Sequence, residues 1–310
     1  MKYSAYCIFL FLTLLVSGCK DDASLESFHQ ESKLVVYSFP TTGDTTYIHV
    51  TRSVPIRDYA DSVQLHGVDH ATVVYTVNDV PCPVTSLGNG YYRVTGHQRA
   101  GDNVTLRVKD GSADEVTAHV AIPDTVAVSE VSVREVKLFG EYSSTPEPFN
   151  QISVTFTDDA ATHSYYAVRV KQSLSYDDAP DEAKVSYVPL DTRSESLLSS
   201  LTEIDSEFGF SNEYFANFYI FDDTDINGRT YTLHLDVSPY VGLPVDNVFY
   251  QVELMRITPE FYHYMQGLNQ IENDELARGG LSQIRPTVTN VAGGLGLVGG
   301  WNGAHTKWIK

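Results

Sequence analysis

Asn103-Val104-Thr105-Leu106-Arg107-Val108 sets Val104, Leu106 and Val108 on one side of an extended chain and Asn103, Thr105 and Arg107 on the other. Side chains along a strand point alternately to its two faces, so this period of two predicts an antiparallel strand with one buried and one wet face. Downstream, Val116, Ala118, Val120 and Ile122 repeat the pattern, and Pro123-Asp124 closes it. Upstream, Leu34-Val35-Val36-Tyr37-Ser38-Phe39 stops at Pro40, and Thr46 to Thr51 carries Ile48 and Val50 on one side. Thr72 to Val77 is rich in β-branched residues, and Gly88-Asn89-Gly90 turns the chain into Tyr91-Tyr92-Arg93-Val94. Short strands at this spacing predict an immunoglobulin-like β-sandwich over residues 33–124.

The same signal resumes near Val126. Ile152, Val154 and Phe156 alternate with Ser153, Thr155 and Thr157, and Tyr166, Val168 and Val170 alternate with Ala167, Arg169 and Lys171. Phe218 to Phe221, then Tyr231 to Val237, then Phe249 to Ile257 supply further strands. Between Gln172 and Asn217 the alternation fails, and Asp177-Asp178, Asp181-Glu182 and a serine-rich centre intervene. So long an irregular tract is uncommon in a compact domain unless functional or mobile. Thr258-Pro259-Glu260 is the one clear helix start, with proline in the first turn and a carboxylate at the positive end of the helix dipole. Phe261, Tyr264, Met265 and Leu268 then fall three and four apart, an apolar face expected to cap a sheet. The expected fold is all-β: two consecutive β-sandwich domains, 33–124 and 125–310, the second with an irregular insertion at 172–217, and one short helix near the C-terminus.

Residues 1–32 read differently. An apolar run from Tyr6 to Val16, about half the roughly 20 residues a membrane-spanning helix needs, lies behind Met1-Lys2 and reads as a signal peptide over residues 1–18. It ends in Val16-Ser17-Gly18-Cys19, a cysteine directly behind two small residues, which resembles the lipobox of bacterial lipoproteins. Cys19 is therefore the expected lipidation site and 19–32 a polar, lipidated tether. Several acyl chains together anchor stably where one does not. Lys20-Asp21-Asp22 is similar to the export tag of Bacteroidetes surface lipoproteins, so the expected location is the outer membrane, facing the cell exterior.

A formal net charge of -19 disfavours nucleic-acid binding and docking on anionic lipid without the anchor. Of the three cysteines, Cys7 leaves with the signal, Cys19 takes lipid and Cys82 stands alone in Pro81-Cys82-Pro83, where a structural role is expected. Gly294-x-Gly296-x-x-Gly299 has dinucleotide-site spacing, but no βαβ unit can follow it so close to Lys310. With Leu295, Leu297 and Val298 it predicts a buried edge strand where backbones approach closely. Asp223-x-Asp225-x-Asn227-Gly228 has the oxygen spacing of the start of a calcium loop, yet His234 stands where the closing glutamate belongs. A hairpin turn tipped by Asn227-Gly228 explains the same residues. The ten histidines are scattered without metal-ligand spacing, and no Gly-x-Ser-x-Gly elbow occurs. No cofactor, no metal beyond the weak calcium candidate Asp223, Asp225 and Asn227, and no catalytic residue is expected; the chain reads as not an enzyme.

The lipobox, Lys33 to Phe39, Arg52-Ser53-Val54-Pro55, Phe221-Asp222-Asp223 with Asn227-Gly228, the helix, and Asn290-Val291-Ala292-Gly293-Gly294-Leu295-Gly296-Leu297-Val298-Gly299-Gly300 occur in that order. In this the mature chain resembles the DUF4249 family of Bacteroidetes lipoproteins, although an aromatic often stands there in place of Val298. The resemblance implies a TonB-dependent outer-membrane receptor as partner and a non-catalytic surface accessory to nutrient uptake. Its ligand would be a small nutrient such as an oligosaccharide, peptide or metal chelate. The alternative is a structural or adhesin-like envelope protein with no small-molecule ligand. Tyr176, Tyr187, Phe208, Phe210 and Tyr214, interleaved with acids in the irregular tract, are the candidate partner- or ligand-binding residues. Should Val185 to Leu190 form a core strand, those aromatics fill the second sandwich instead.

Overall fold

The computed structural model describes residues 31–54, 67–111, 114–139, 145–200, 217–242, 245–273 and 288–310. The first strands are β1 (Leu34–Ser38), β2 (Gly43–Arg52), β3 (Thr72–Val77), β4 (Val80–Cys82), β5 (Val84–Gly88), β6 (Tyr91–Gln98), β7 (Asn103–Asp110) and β8 (Asp114–Ala121). They are followed by β9 (Val128–Phe139), β10 (Pro146–Thr157), β11 (Tyr165–Ser175), β12 (Val185–Val188), β13 (Ser199–Ser200), β14 (Tyr219–Asp222), β15 (Thr230–Val237) and β16 (Asn247–Ile257). A helix, α1 (Pro259–Asn273), and strands β17 (Leu295–Val298) and β18 (Trp301–His305) complete the set. The fold is all-β and sandwich-like, with α1 the one α-helix among the described residues.

The opening stretch behaves as its period demands. Val104, Leu106 and Val108 of β7 are buried and pair with Val120, Ala118 and Val116 of β8. The sheet β4-β3-β7-β8 packs this face on Val36, Ile48, Val50 and Val94 of a second sheet, ordered β17-β1-β2-β6-β5. Tyr75 crosses the core fully buried, and its hydroxyl donates to Gln98 Oε1 at 2.6 Å while Gln98 Nε2 donates to Thr46 Oγ1 at 2.8 Å. No hydroxyl is thus left unpaired at that point. Cys82 is half-buried against the same core, and burial pushes its thiol pKa up, the opposite of what a nucleophilic thiolate needs.

The edge of this first sheet comes from the far end of the chain. β17 pairs in parallel with β1, Val36 opposite Gly296 and Tyr37 opposite Leu297. Gly296 has φ +104°, and a Cβ there would lie 2.1 Å from the Val36 carbonyl oxygen, so only glycine permits the approach. Asn290 clamps the strand by donating from Nδ2 to the Val298 carbonyl at 2.8 Å and accepting from its N–H at 2.9 Å. Residues 295–298, in the second half by chain order, therefore belong to the first sheet, and 33–53 with 65–310 make one compact unit.

The second sandwich faces sheet β15-β10-β9 with sheet β13-β14-β11-β16-β18, on which β12 also pairs with β11. Ile152, Val154, Phe156, Leu233 and Leu235 meet Tyr166, Val168, Val170, Phe221, Val252 and Leu254 in one core. β11 runs on to Ser175 and β12 is a strand on Val170 to Ser173, so the 172–217 tract is regular in part.

Helix α1 does more than cap one sheet. Phe261, Tyr262, Tyr264, Met265 and Leu268 are buried among Tyr37, Phe39 and Leu297 of the first sandwich and Ala167, Phe218, Ile220, Met255 and Ile257 of the second. The Phe261 ring lies 5.1 Å from that of Phe39 and stacks at 5.9 Å on Phe218. Tyr37 and Tyr264 share a hydroxyl hydrogen bond of 2.9 Å. No described helix is long and apolar enough to cross a membrane.

Across β11, β16 and β18, Arg169 sits opposite Glu253 and Glu253 opposite His305. The Arg169–Glu253 ion pair is buried, with side chains 9% and 2% exposed, and His305 Nε2 lies 3.5 Å from Glu253 Oε1. Burial pushes the His305 pKa down; Glu253 opposes this, and Lys171 and Arg169 add to it. The unfolded chain then takes up this proton first, so the histidine subtracts stability as pH falls below its ordinary value of about 6.5. Urea unfolding at stepped pH should show the wild type losing more stability on acidification than His305→Gln.

Candidate functional site

Cys19, Phe208, Phe210 and Tyr214 lie outside the described residues. Tyr176 stands in the loop after β11, 57% exposed, with Lys184 Nζ 4.9 Å from its ring centre. Tyr187 on β12 is half-buried, with the Arg169 guanidinium 4.0 Å from its ring centre, so its face covers the buried ion pair. The acidic tip is tied down rather than loose. Ser173 Oγ donates to the Asp181 carbonyl at 2.9 Å, and Asn247 Nδ2 donates to that of Asp177 at 2.8 Å. Lys310 Nζ reaches Asp178 at 2.7 Å, and this hydrogen bond and charge hold the Asp178 carboxyl below its usual range.

The acidic turn departs from the expected hairpin. β14 pairs with β11 and β13, whereas β15 pairs with β10, so residues 223–229 cross from one sheet of the sandwich to the other. Two successive turns make the crossing, with Ile226 N–H donating to the Asp223 carbonyl and Arg229 N–H to the Ile226 carbonyl, both at 2.9 Å. Gly228, at φ +69°, donates its N–H to Asp158 Oδ2 at 2.8 Å, which ties the crossing to the end of β10. A turn sequence sets only local backbone angles; the sheets on either side choose the partners.

The calcium-type set is divided by this geometry. Asp225 and Asn227 are exposed, while Asp223 is fully buried and gathers with Asp222 and His163. Strand pairing of Tyr165 with Asp222 brings His163, just before β11, against the end of β14. Ser164 N–H donates to Asp223 Oδ2 at 2.7 Å, and Asp223 N–H returns a bond to the Ser164 carbonyl at 3.1 Å. His163 Nδ1 forms an ion pair with Asp223 Oδ1, and one ligand atom each from His163, Asp222 and Asp223 lie within 4.8 Å of one another.

Aromatic rings brace the cluster. The His163 ring meets Tyr165 edge-on at 4.7 Å, and Tyr165 lies 4.7 Å from Tyr262 and 5.4 Å from His263 of α1. Tyr262 donates to Asp222 Oδ2 at 3.3 Å. Its pKa is pushed up to about 12 by burial first, then by the Asp222 charge and hydrogen bond. Burial also pushes the Asp222 carboxyl up, but Thr224, His163 and Tyr262 outweigh it and hold it below its ordinary range. Sequence reading missed His163 because nothing local separates it from nine other histidines; only the β11–β14 register does.

No curated protein matches the sequence. The model of the family described as a domain of unknown function, DUF4249, matches residues 21–307, a stretch that includes every strand from β1 to β18 and helix α1. By that match the chain belongs to the DUF4249 family.

Proposed function

We propose that this protein is a non-catalytic lipoprotein of the outer membrane, anchored through Cys19 and facing the cell exterior, that serves a TonB-dependent receptor in nutrient uptake. The observation that carries the reading is the short apolar leader ending in Val16-Ser17-Gly18-Cys19, followed by Lys20-Asp21-Asp22. Two further features support it. The polar stretch 19–32 is a tether in composition, and the sandwiches it carries are joined through β17 and α1 into one unit. A pre-organised body loses less conformational entropy on docking than a jointed one. Tyr176, exposed on a loop whose ends are pinned, is an aromatic available to contact a partner.

Cys19→Ala should move the protein from the membrane to the soluble envelope fraction. Alanines in place of Lys20-Asp21-Asp22 should leave it lipidated but reduce its display on intact cells. Protease added to intact cells should cleave the wild type, and protection would disprove surface exposure. A TonB-dependent receptor should copurify from detergent-extracted outer membrane, at lower yield with Tyr176→Ala; a wild-type preparation without any such receptor would remove the partnership.

A further inference from the structure

We propose that His163, Asp222 and Asp223 form a binding site for a single divalent transition-metal ion of the zinc type. The inference does not depend on the envelope reading. It begins with Asp223, whose side chain is 0% exposed. One carboxylate oxygen, Oδ2, is held by the Ser164 N–H at 2.7 Å, but Oδ1 is buried and accepts no hydrogen bond. A buried carboxylate oxygen without a hydrogen-bond donor is costly unless a cation meets it. His163 Nδ1 makes an ion-pair contact with that oxygen but no hydrogen bond to it. A metal ion that replaced this contact, with the two atoms drawn slightly apart, would engage both: Oδ1 through its charge and the ring nitrogen through the lone pair of a neutral imidazole.

Ligand chemistry then narrows the ion. Two carboxylates and a neutral imidazole sum to the charge that a divalent cation balances. Calcium and magnesium take oxygen ligands, about six to eight of them for calcium, whereas a mixed nitrogen and oxygen set suits zinc and its first-row neighbours. His163 is 47% exposed in its side chain, which leaves an entry path and room for water as a further ligand. The ligands are themselves held. Asp222 Oδ1 accepts from the Thr224 N–H at 2.9 Å and Oδ2 from the Tyr262 hydroxyl at 3.3 Å, while Tyr165 braces the His163 ring. Such outer partners orient metal ligands and raise affinity. The excess of acidic residues over the whole chain would also draw cations toward it.

The test uses the full chain, purified in detergent and stripped with a chelator, with Zn2+ alone as the probe. Calorimetric titration should give a single site, and Zn2+ should raise the melting temperature where Ca2+ does not. His163→Gln and Asp222→Asn should each weaken Zn2+ binding on the order of 100-fold, and Tyr262→Phe about 10-fold. His97→Gln, which removes an exposed contact with Asp44, should leave binding unchanged. Co2+ in place of Zn2+ should give a visible absorption band that His163→Gln abolishes. Three results would overturn the site: no Zn2+ uptake by the wild type, uptake undiminished in both His163→Gln and Asp222→Asn, or stabilisation by Ca2+ and not by Zn2+.

Discussion

Gly296→Ala is expected to cost about 2–6 kcal/mol of folding stability. Roughly 1–3 kcal/mol comes from forcing a side chain into a left-handed backbone conformation, and about 1–3 more from overpacking. The glycine has φ +104°, and the new methyl group would sit 2.1 Å from the Val36 carbonyl oxygen, which is backbone and cannot swing aside. Either the β1–β17 pairing opens or both strands shift, and each disturbs Val36, Leu297 and Val298, all of them buried. Gly101→Ala is the matched control, since its φ of +83° carries the same kind of strain with nothing within 4 Å of the added carbon. Urea unfolding of the two variants beside the wild type separates the terms. Equal losses would mean that the close parallel approach at Gly296 does not exist in solution.

Phe261→Ala should cost about 3–5 kcal/mol, the range for removing a large aromatic from a core that cannot collapse around the gap. Few residues here are so constrained from two sides. Its ring meets Phe39, just after β1, and Phe218, just before β14, while the Cβ of any residue replacing Gly299 would come within 3.0 Å of it. Neither sheet can move in to fill the space without losing its own contacts with the helix. Glu260→Ala, one residue earlier, tests the helix without the wedge and should cost about 0.3–1 kcal/mol through the lost dipole interaction. If Phe261→Ala were no worse than Glu260→Ala, α1 would be an ornament on the fold and not the joint between its sandwiches. His305→Gln and the anchor variants probe other parts of the molecule, and their effects should be independent of both core variants. The zinc titration should not be independent of Phe261→Ala, because Tyr262, the next residue of α1, donates to Asp222.

Strand after strand was legible in the sequence for a simple reason. A sheet with one wet face writes its period of two directly into the chain, and Val104-Leu106-Val108 or Ile152-Val154-Phe156 can bury one side in no other regular structure. The helix was legible likewise from Pro259 and the spacing of its apolar residues. Within the 172–217 tract, charges and serines obscured β12, a strand whose pairing with β11 supplies the order that its composition does not. The acidic residues of the candidate site were visible as a turn, but the turn's role was not: Asn227-Gly228 suits a hairpin as well as a crossover.

By itself the sequence determined that the chain is built of half-buried strands with one amphipathic helix, and that the glycines near its end let two backbones approach closely. Both are properties of residues within a few positions of one another. Only the tertiary structure decided that β17 joins β1, that α1 lies between two sandwiches, and that His163 meets Asp222 and Asp223. Each of these is a pairing between segments distant in the chain. Such a choice is made by which faces fit and which polar groups remain to be satisfied once the strands exist, and no local period encodes it.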